Sequence, residues 1–446
     1  MSEQPITAAF TEHFGRARGR LPGSGQLWIE ALREAAMARF AESGLPSPKA
    51  EAWKYTNLRP LEKVGLVPAT PCYQPCGIDR VPWLLKEPQA PHRLVFVDGR
   101  LAPAHSALSA LPKAVRLRSF AAAVSETPEL IEAHLGRIVS GEVQPLLALN
   151  TALMEDGYVL EVERGVALEQ PIELVFLGGA VEQSLSYHPR HLIVMHEGSQ
   201  ATVIEQHIGL GAGPYLANSA TEVAVGAGAI LRHVKLQAEG AAAFHLGTLH
   251  ARVERDGVYD AFGLSIGGRL SRNESTVRLV GPGASCRVNG AYLMRDRQHC
   301  DNTTVIEHMA PHTTCREVFK GVLDDQARAV FQGRIVVHRD AQQTDGHQLS
   351  KALLLSDGAE IDAKPELEIY ADDVKCSHGA TAGELDHDAL FYLQTRGIPE
   401  PAARRLLVQA FLAEALEEIA AEQIRVALLA KIDGWLSVSH AMQEAA

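Results

Sequence analysis

The chain has 446 residues, with 54 acidic and 42 basic side chains, a net charge of −12 and 46% hydrophobic content. That length suits two or three domains at roughly 150 residues each, and the apolar fraction is enough to bury a sizeable core. The acidic balance argues against broad binding to nucleic acid or an anionic membrane, both of which need a basic face.

No uninterrupted apolar stretch approaches the roughly 18–20 residues that span a bilayer. The opening Met1-Ser-Glu-Gln-Pro5 lacks a basic region followed by an apolar one, so the reading is cytoplasmic. Gln26 to Ser43 carries Leu27, Ile29, Leu32, Ala36 and Phe40 near helical spacing. Val67 to Pro91, rich in Pro, Cys and Gly, reads as a linker or loop. Its Cys72 and Cys76 are spaced C-x3-C with no second pair at zinc spacing, so two ordinary loop thiols is the simpler reading. Leu94 to Arg100 reads as a strand and turn, and Ser119 to His134 as helical.

From about Leu153 to Thr381 short apolar, β-branched runs alternate with Gly, Asp, Asn and Ser turns. Examples are Tyr158-Val-Leu-Glu-Val162, His191-Leu-Ile-Val-Met195 and Gly333-Arg-Ile-Val-Val-His338. No amphipathic helix of 10–15 residues separates them, which excludes a parallel sheet wound as βαβ units. A Gly turn followed by a strand recurs at Gly198, Gly226, Gly257, Gly283 and Gly358, with gaps of 28, 31, 26 and 75. Taking the last gap as three units, the pattern predicts a solenoid with one coil per roughly 25–30 residues. A two-sheet sandwich is the competing architecture.

The remainder is helical. Ala389 to Arg396 ends at Gly397, the expected place for a C-terminal cap. A long amphipathic pattern follows, with Leu407, Phe411, Leu412, Leu416, Ile419, Ile424 and Leu428 on one side. Such a stripe serves either as ordinary core or as a docking face for a partner. The expected boundaries are an N-terminal helical region 1–92, a β-helix core 93–383 with a helical insertion near 119–150, and a C-terminal helical domain 384–446.

Two catalytic motifs are missing: there is no G-x-x-x-x-G-K-[ST] and no H-E-x-x-H. Soft and borderline metal donors are concentrated instead: His299, Cys300, His308, His312, Cys315, His338, His347, Cys376 and His378 fall within 80 residues. Thiolate and imidazole suit iron, zinc and iron–sulfur species. The i, i+2 spacing of Cys376 and His378 puts both on one face of a strand. No cluster-binding C-x2-C-x2-C run exists, so the chemistry by itself supports a transient or shared site.

At these residues a family resemblance emerges. Lys375-Cys-Ser-His-Gly-Ala-Thr381 and Leu390-Phe-Tyr-Leu-Gln-Thr-Arg-Gly-Ile398 resemble the C-terminal signature of SufD-type members of the SufB/SufD family. Glu51-Ala-Trp-Lys-Tyr-Thr-Asn-Leu58 is similar to that family's N-terminal stretch, and Asn150-Thr-Ala-Leu153 and Gly157-Tyr-Val-Leu160 to the segment opening its solenoid. The resemblance implies a right-handed parallel β-helix and a non-catalytic scaffold for iron–sulfur cluster assembly. It implies pairing with SufB through the C-terminal end of the β-helix, and a SufC ATPase carried on the C-terminal helical domain. Isolated, the chain is expected to form a homodimer. His378 and Cys376 correspond to the family's functional His and adjacent Cys, which would hold iron or a nascent cluster transiently at the SufB seam, with no cofactor bound tightly by the chain itself. Two departures separate it from a SufB-type paralogue: Gln348 to Asp357 contains no Cys, and Cys376-Ser-His-Gly-Ala-Thr381 replaces the SufB pattern. A β-helix carbohydrate-active enzyme is the alternative from a different functional class. The roles of Cys72, Cys76, Cys286, Cys300 and Cys315 are not assigned by the resemblance.

Overall fold

A computed structural model describes residues 5–69, 78, 81, 83–85, 91–108, 111–138, 144–181 and 183–444. Cys72 and Cys76 lie outside them. The central chain forms a β-solenoid. From Arg190–Met195 to Val374–Gly383 successive strands alternate between two sheets, and each pairs in parallel with the strand two positions later, while Ile172–Gly178 pairs with Gln200–Gly209. One sheet makes seven such coil-to-coil steps, of 27 residues (Val258 to Ser285) to 31 (Thr314 to Asp345). Among the described residues no helix intervenes between Tyr158 and Gly383. Parallel pairing without crossover helices works because the second sheet supplies the return path.

The coil corner explains the loose glycine period. Before the strands of that sheet, Gly198, Gly228, Asp256, Gly283, His312 and Gln343 all adopt φ between 55° and 73°. Each donates its N–H to a carbonyl of the next coil's corner, as Gly198 does to Ala227 and His312 to Gln342. Half of these positions are not glycine, so the stacked hydrogen bonds hold a conformation that costs about 1 kcal/mol for such residues. Gly358 precedes Glu360–Ile369 in the other sheet. The 75-residue gap after Gly283 therefore spans two and a half coils rather than three.

Between the sheets, Leu160, Phe176, Val203, Val225, Leu231, Val277, Ile306 and Phe331 form a continuous core. Both outer faces carry helices. Pro5–Ala17, Leu27–Ser43 and Pro145–Leu153 cover one sheet through Phe14, Phe40, Leu149, Leu216, Phe244 and Leu270. Phe120–Glu126 and Pro128–His134 pack beside them. On the other sheet sit Glu400–Leu416 and Glu422–Glu444, two helices where the periodicity predicts one. The break at 417–421 contains no Gly or Pro, so spacing gives no sign of it. Their apolar stripe is spent on the sheet: Leu412, Leu416, Ile424 and Leu428 are buried against Ile204, Leu236, Leu264 and Leu293. Lys320 reinforces the join by donating to the Phe411 carbonyl at 2.8 Å and pairing with Glu414.

The Glu51–Leu58 segment straps the first of these sheets. Arg272 lies 3.9 Å from the Trp53 ring centre, donates to the Ala52 carbonyl at 2.7 Å and pairs with Asp301. Thr56 donates to Asp301 in turn, and Glu51 meets Lys364 at 2.8 Å on the last strand of that sheet. The motif thus bridges coils far apart in sequence.

Candidate functional site

The donors that crowd residues 299–378 disperse by facing. His299 bonds the Thr56 hydroxyl at 2.9 Å beneath the strap. Cys300 is buried with Tyr292 and Ala329, its thiol pushed up to about 12 by burial. His312 is a corner residue. His338 faces outward, 3.4 Å from Glu307. His347 also faces outward, between Asp345 at 2.8 Å and Ser377 at 2.6 Å. None of these is bonded to His378, although His347 reaches its chain neighbour Ser377.

Three thiols do converge. The register pairs Cys286 with Cys315, Cys315 with Gly346 and Gly346 with Cys376, so they occupy one column on the inner face of one sheet. Burial pushes the Cys286 and Cys315 thiols well above their ordinary range. At Gly346 the missing side chain leaves a gap: a Cβ there would stand 3.4 Å from Cys315 Sγ, 3.6 Å from Cys376 Sγ and 3.7 Å from His308 Nε2. His308 itself is buried, which pulls its pKa down to about 4, and its Nδ1 is 2.8 Å from the Thr313 hydroxyl. The Thr313 hydroxyl donates to the Ala310 carbonyl. It therefore accepts from His308 Nδ1–H and leaves Nε2 as a lone pair.

Cys376 and His378 lie on the last strand, Val374–Gly383, and period 2 puts both on the inner face. Cys376 is half-buried and burial raises its thiol pKa, so the thiol is protonated at neutral pH. His378 is exposed. The neighbouring column runs Glu317, Gln348, His378. Along the outermost coil Glu360–Ile369 and Val374–Gly383 end their respective sheets, each bonded to one neighbour only among the described residues. Their faces open accordingly, with Tyr370 62% and Ile369 41% exposed. Among the described residues no three His, Cys, Asp or Glu side chains stand close enough to hold a metal ion, and no helix is long and apolar enough to cross a membrane.

A polar chamber in the middle coils had no sequence signature. Tyr158 donates to Glu205 at 2.5 Å, and Lys235 donates to Asn273 Oδ1 at 2.9 Å and to His245 Nε2 at 2.8 Å. Burial pulls His245 down to about 4, so it meets the lysine as a neutral acceptor. These residues lie in ordinary strand alternation, and only the coil stacking brings them together.

Comparison with known proteins places the chain among cluster-assembly proteins. Residues 177–411 match the model of the SufBD core domain of the SUF iron–sulfur cluster assembly system, and residues 4–65 and 88–174 match the SufBD N-terminal region. The chain is 32% identical to the iron–sulfur cluster assembly protein SufD of Escherichia coli over 402 residues, covering 89% of this chain and 90% of that protein. It is 30% identical to a SufBD family protein of Synechocystis over 88% of this chain and 91% of the other. With SufD of Bacillus subtilis it shares 28% identity over 91% of this chain and 93% of the other.

Proposed function

The chain belongs to the SufBD family of iron–sulfur cluster assembly proteins, and from that premise we propose that it is a SufD-type scaffold whose last coil pairs with SufB and presents His378 at the joint. The observation that carries this reading is the terminal coil. Two parallel strands end the sheets with their outer edges unpaired among the described residues, and His378 stands exposed on the inner face of one of them. An unpaired edge is a template for strand addition from another chain. A homologous edge of SufB would continue both sheets across the joint. Alone, the same edge is expected to pair with a second copy of this chain.

At such a joint this chain offers one imidazole and one thiol. Iron or a nascent cluster, as the cargo under assembly, would take His378 and Cys376 here and further ligands from SufB. The Cys376 thiol must lose its proton when metal binds, so binding strengthens as pH rises. The inner positions Gln348 and Ser350 on the preceding strand offer no thiol, which supports a SufD rather than a SufB role. The site is a holding site rather than a catalytic one. ATP hydrolysis is assigned to SufC, because this sequence has no phosphate-binding loop. SufC is expected on the C-terminal helices, through Phe391 at 68% and Tyr392 at 57% exposure, since the apolar stripe beneath is already occupied. The setting proposed is the cytoplasm.

The test is cluster assembly by the complex of this chain with SufB and SufC. His378→Ala should abolish it while leaving the complex intact on gel filtration, and normal assembly by that variant would refute the reading. Phe391→Glu with Tyr392→Glu should lose SufC without unfolding, whereas removing the helices would strip the sheet they cover.

A further inference from the structure

One group of polar side chains takes no part in the seam. Asp345 and His347 lie two apart on Thr344–Leu354, and Ser377 lies on Val374–Gly383, the last strand of the same sheet. Period 2 turns all three to the outer face, away from Gly346, Cys376 and His378. The register sets Ser377 directly beside His347. His347 Nε2 is 2.8 Å from Asp345 Oδ1, and His347 Nδ1 is 2.6 Å from Ser377 Oγ. A carboxylate only accepts, so the ring proton sits on Nε2, and the Nδ1 lone pair accepts the Ser377 hydroxyl proton.

A Ser–His pair across neighbouring strands is ordinary surface chemistry. The aspartate on the far nitrogen distinguishes this one, because it fixes the tautomer in which the ring is a base towards the serine. The two nitrogens exchange the parts they play in serine proteases, and either can take a proton. The backbone adds a fourth element. Asp345 donates its N–H to the Thr313 carbonyl on the preceding coil. Regular alternation along parallel strands then turns Gly346 towards the last strand, Ser377 back towards Gly346, and the His378 N–H to the open edge. Among the described residues no strand covers that edge. An N–H on the residue after a nucleophile can donate to the oxyanion of acyl transfer.

We propose that the uncovered last coil carries a nucleophile for acyl transfer from small activated esters and thioesters, with Ser377 attacking, His347 as general base and Asp345 as the positioning residue. The bond from Ser377 Oγ to the acyl carbon forms as the hydroxyl proton passes to His347 Nδ1. The bond to the alkoxide or thiolate then breaks, and the leaving group takes that proton away. Water attacks the acyl-serine by the same route, releasing the acid and restoring the hydroxyl. Asp345 stays ionised throughout and stabilises the imidazolium. Solvent reaches the Asp345 and His347 side chains, 42% and 34% exposed, so screening keeps turnover low. The three side chains belong to this chain alone, and the activity does not depend on pairing with SufB.

The experiment is labelling of the full chain with a fluorophosphonate, which phosphonylates activated serines, followed by peptide mass spectrometry. The native chain should carry the adduct on Ser377 and hydrolyse p-nitrophenyl acetate faster than Ser377→Ala. His347→Gln should slow labelling about 100-fold, the lower end for loss of a general base. Asp345→Asn should slow it about 10-fold, less than at an enclosed triad because solvent competes, and Asp345→Glu should restore most of the rate. Thermal unfolding checks that each variant is folded, the expected result for exposed side chains. No adduct on Ser377 in the native chain would overturn the proposal, as would an unchanged labelling rate in folded His347→Gln or Asp345→Asn.

Discussion

Two coils of the same solenoid behave differently. In the strand Thr314–Leu323 seven of ten residues are buried, whereas in Val374–Gly383, two coils further on and in the same register column, none is. The local sequences do not account for this. Each carries one Cys on the inner face, in the same register column, yet Cys315 is buried and Cys376 is not. The difference is a missing neighbour: every interior strand has a coil on each side, and the last has one. Burial in a solenoid is thus a property of position in the stack, and a long uncovered terminal strand presents unpaired backbone groups to solvent.

The largest test of that contrast is on stability. Asp301→Ala removes the acceptor shared by buried Arg272 and Thr56 in an interior coil. It should cost about 3 kcal/mol in urea unfolding, because a buried guanidinium and a buried hydroxyl both lose their shared acceptor while Glu274 still faces the Arg272 charge. Phe331→Ala, fully buried, should cost a similar amount through the cavity it leaves. Tyr370→Ala at the terminal coil should change stability by no more than about 0.5 kcal/mol. A terminal cost equal to the interior ones would mean that the last coil is covered in solution by a second copy.

Next comes pH. Glu317 holds its proton up to about 7 in the folded chain and to about 4.5 when unfolded. The folded state therefore binds the proton more tightly, and stability falls as pH rises from about 4.5 through 7. The loss is of order 3 kcal/mol at 1.36 kcal/mol per unit. Glu317→Gln should remove that slope, making the variant more stable than the native chain at pH 8 and not at pH 4. Parallel curves for the two proteins would show that Glu317 is not the titrating group.

A smaller effect separates folding from association. Tyr370→Asp with Ile369→Lys should leave the unfolding midpoint within error but weaken pairing with SufB about tenfold, by setting charge on the open edge. Unaltered affinity would place the partner elsewhere. Smallest is thiol access: in a Cys72→Ser, Cys76→Ser background, Cys376 should alkylate slowly in the native chain while Cys286, Cys300 and Cys315 stay protected. Pairing with SufB should then protect Cys376 as well.

Much of this architecture was legible in the residues. Runs such as His191–Met195, without helices between them, allowed a sandwich or a solenoid, and the recurring glycine corners pointed to coils. Where the reading failed, at Gly358 and in the single long C-terminal helix, the cause lay outside the local chain. Corner residues Asp256, His312 and Gln343 are held left-handed by hydrogen bonds from the next coil, so the repeat is not written in glycine alone. At the break, 417–421, Ile419 and Ala421 pack into the apolar cluster that both helices share with the sheet.

By itself the sequence determined the periodic strands, the helical ends, the placing of Cys376 and His378 on one strand face, and the absence of a phosphate loop, because each depends on residues close together in the chain. Tertiary structure alone decided which donors meet. His299, His338 and His347 were turned away, while Glu317, Gln348 and His378, some thirty residues apart at each step, were set in one column. Register between coils is fixed by backbone hydrogen bonds and core contacts summed along the whole stack, and no local segment carries that sum.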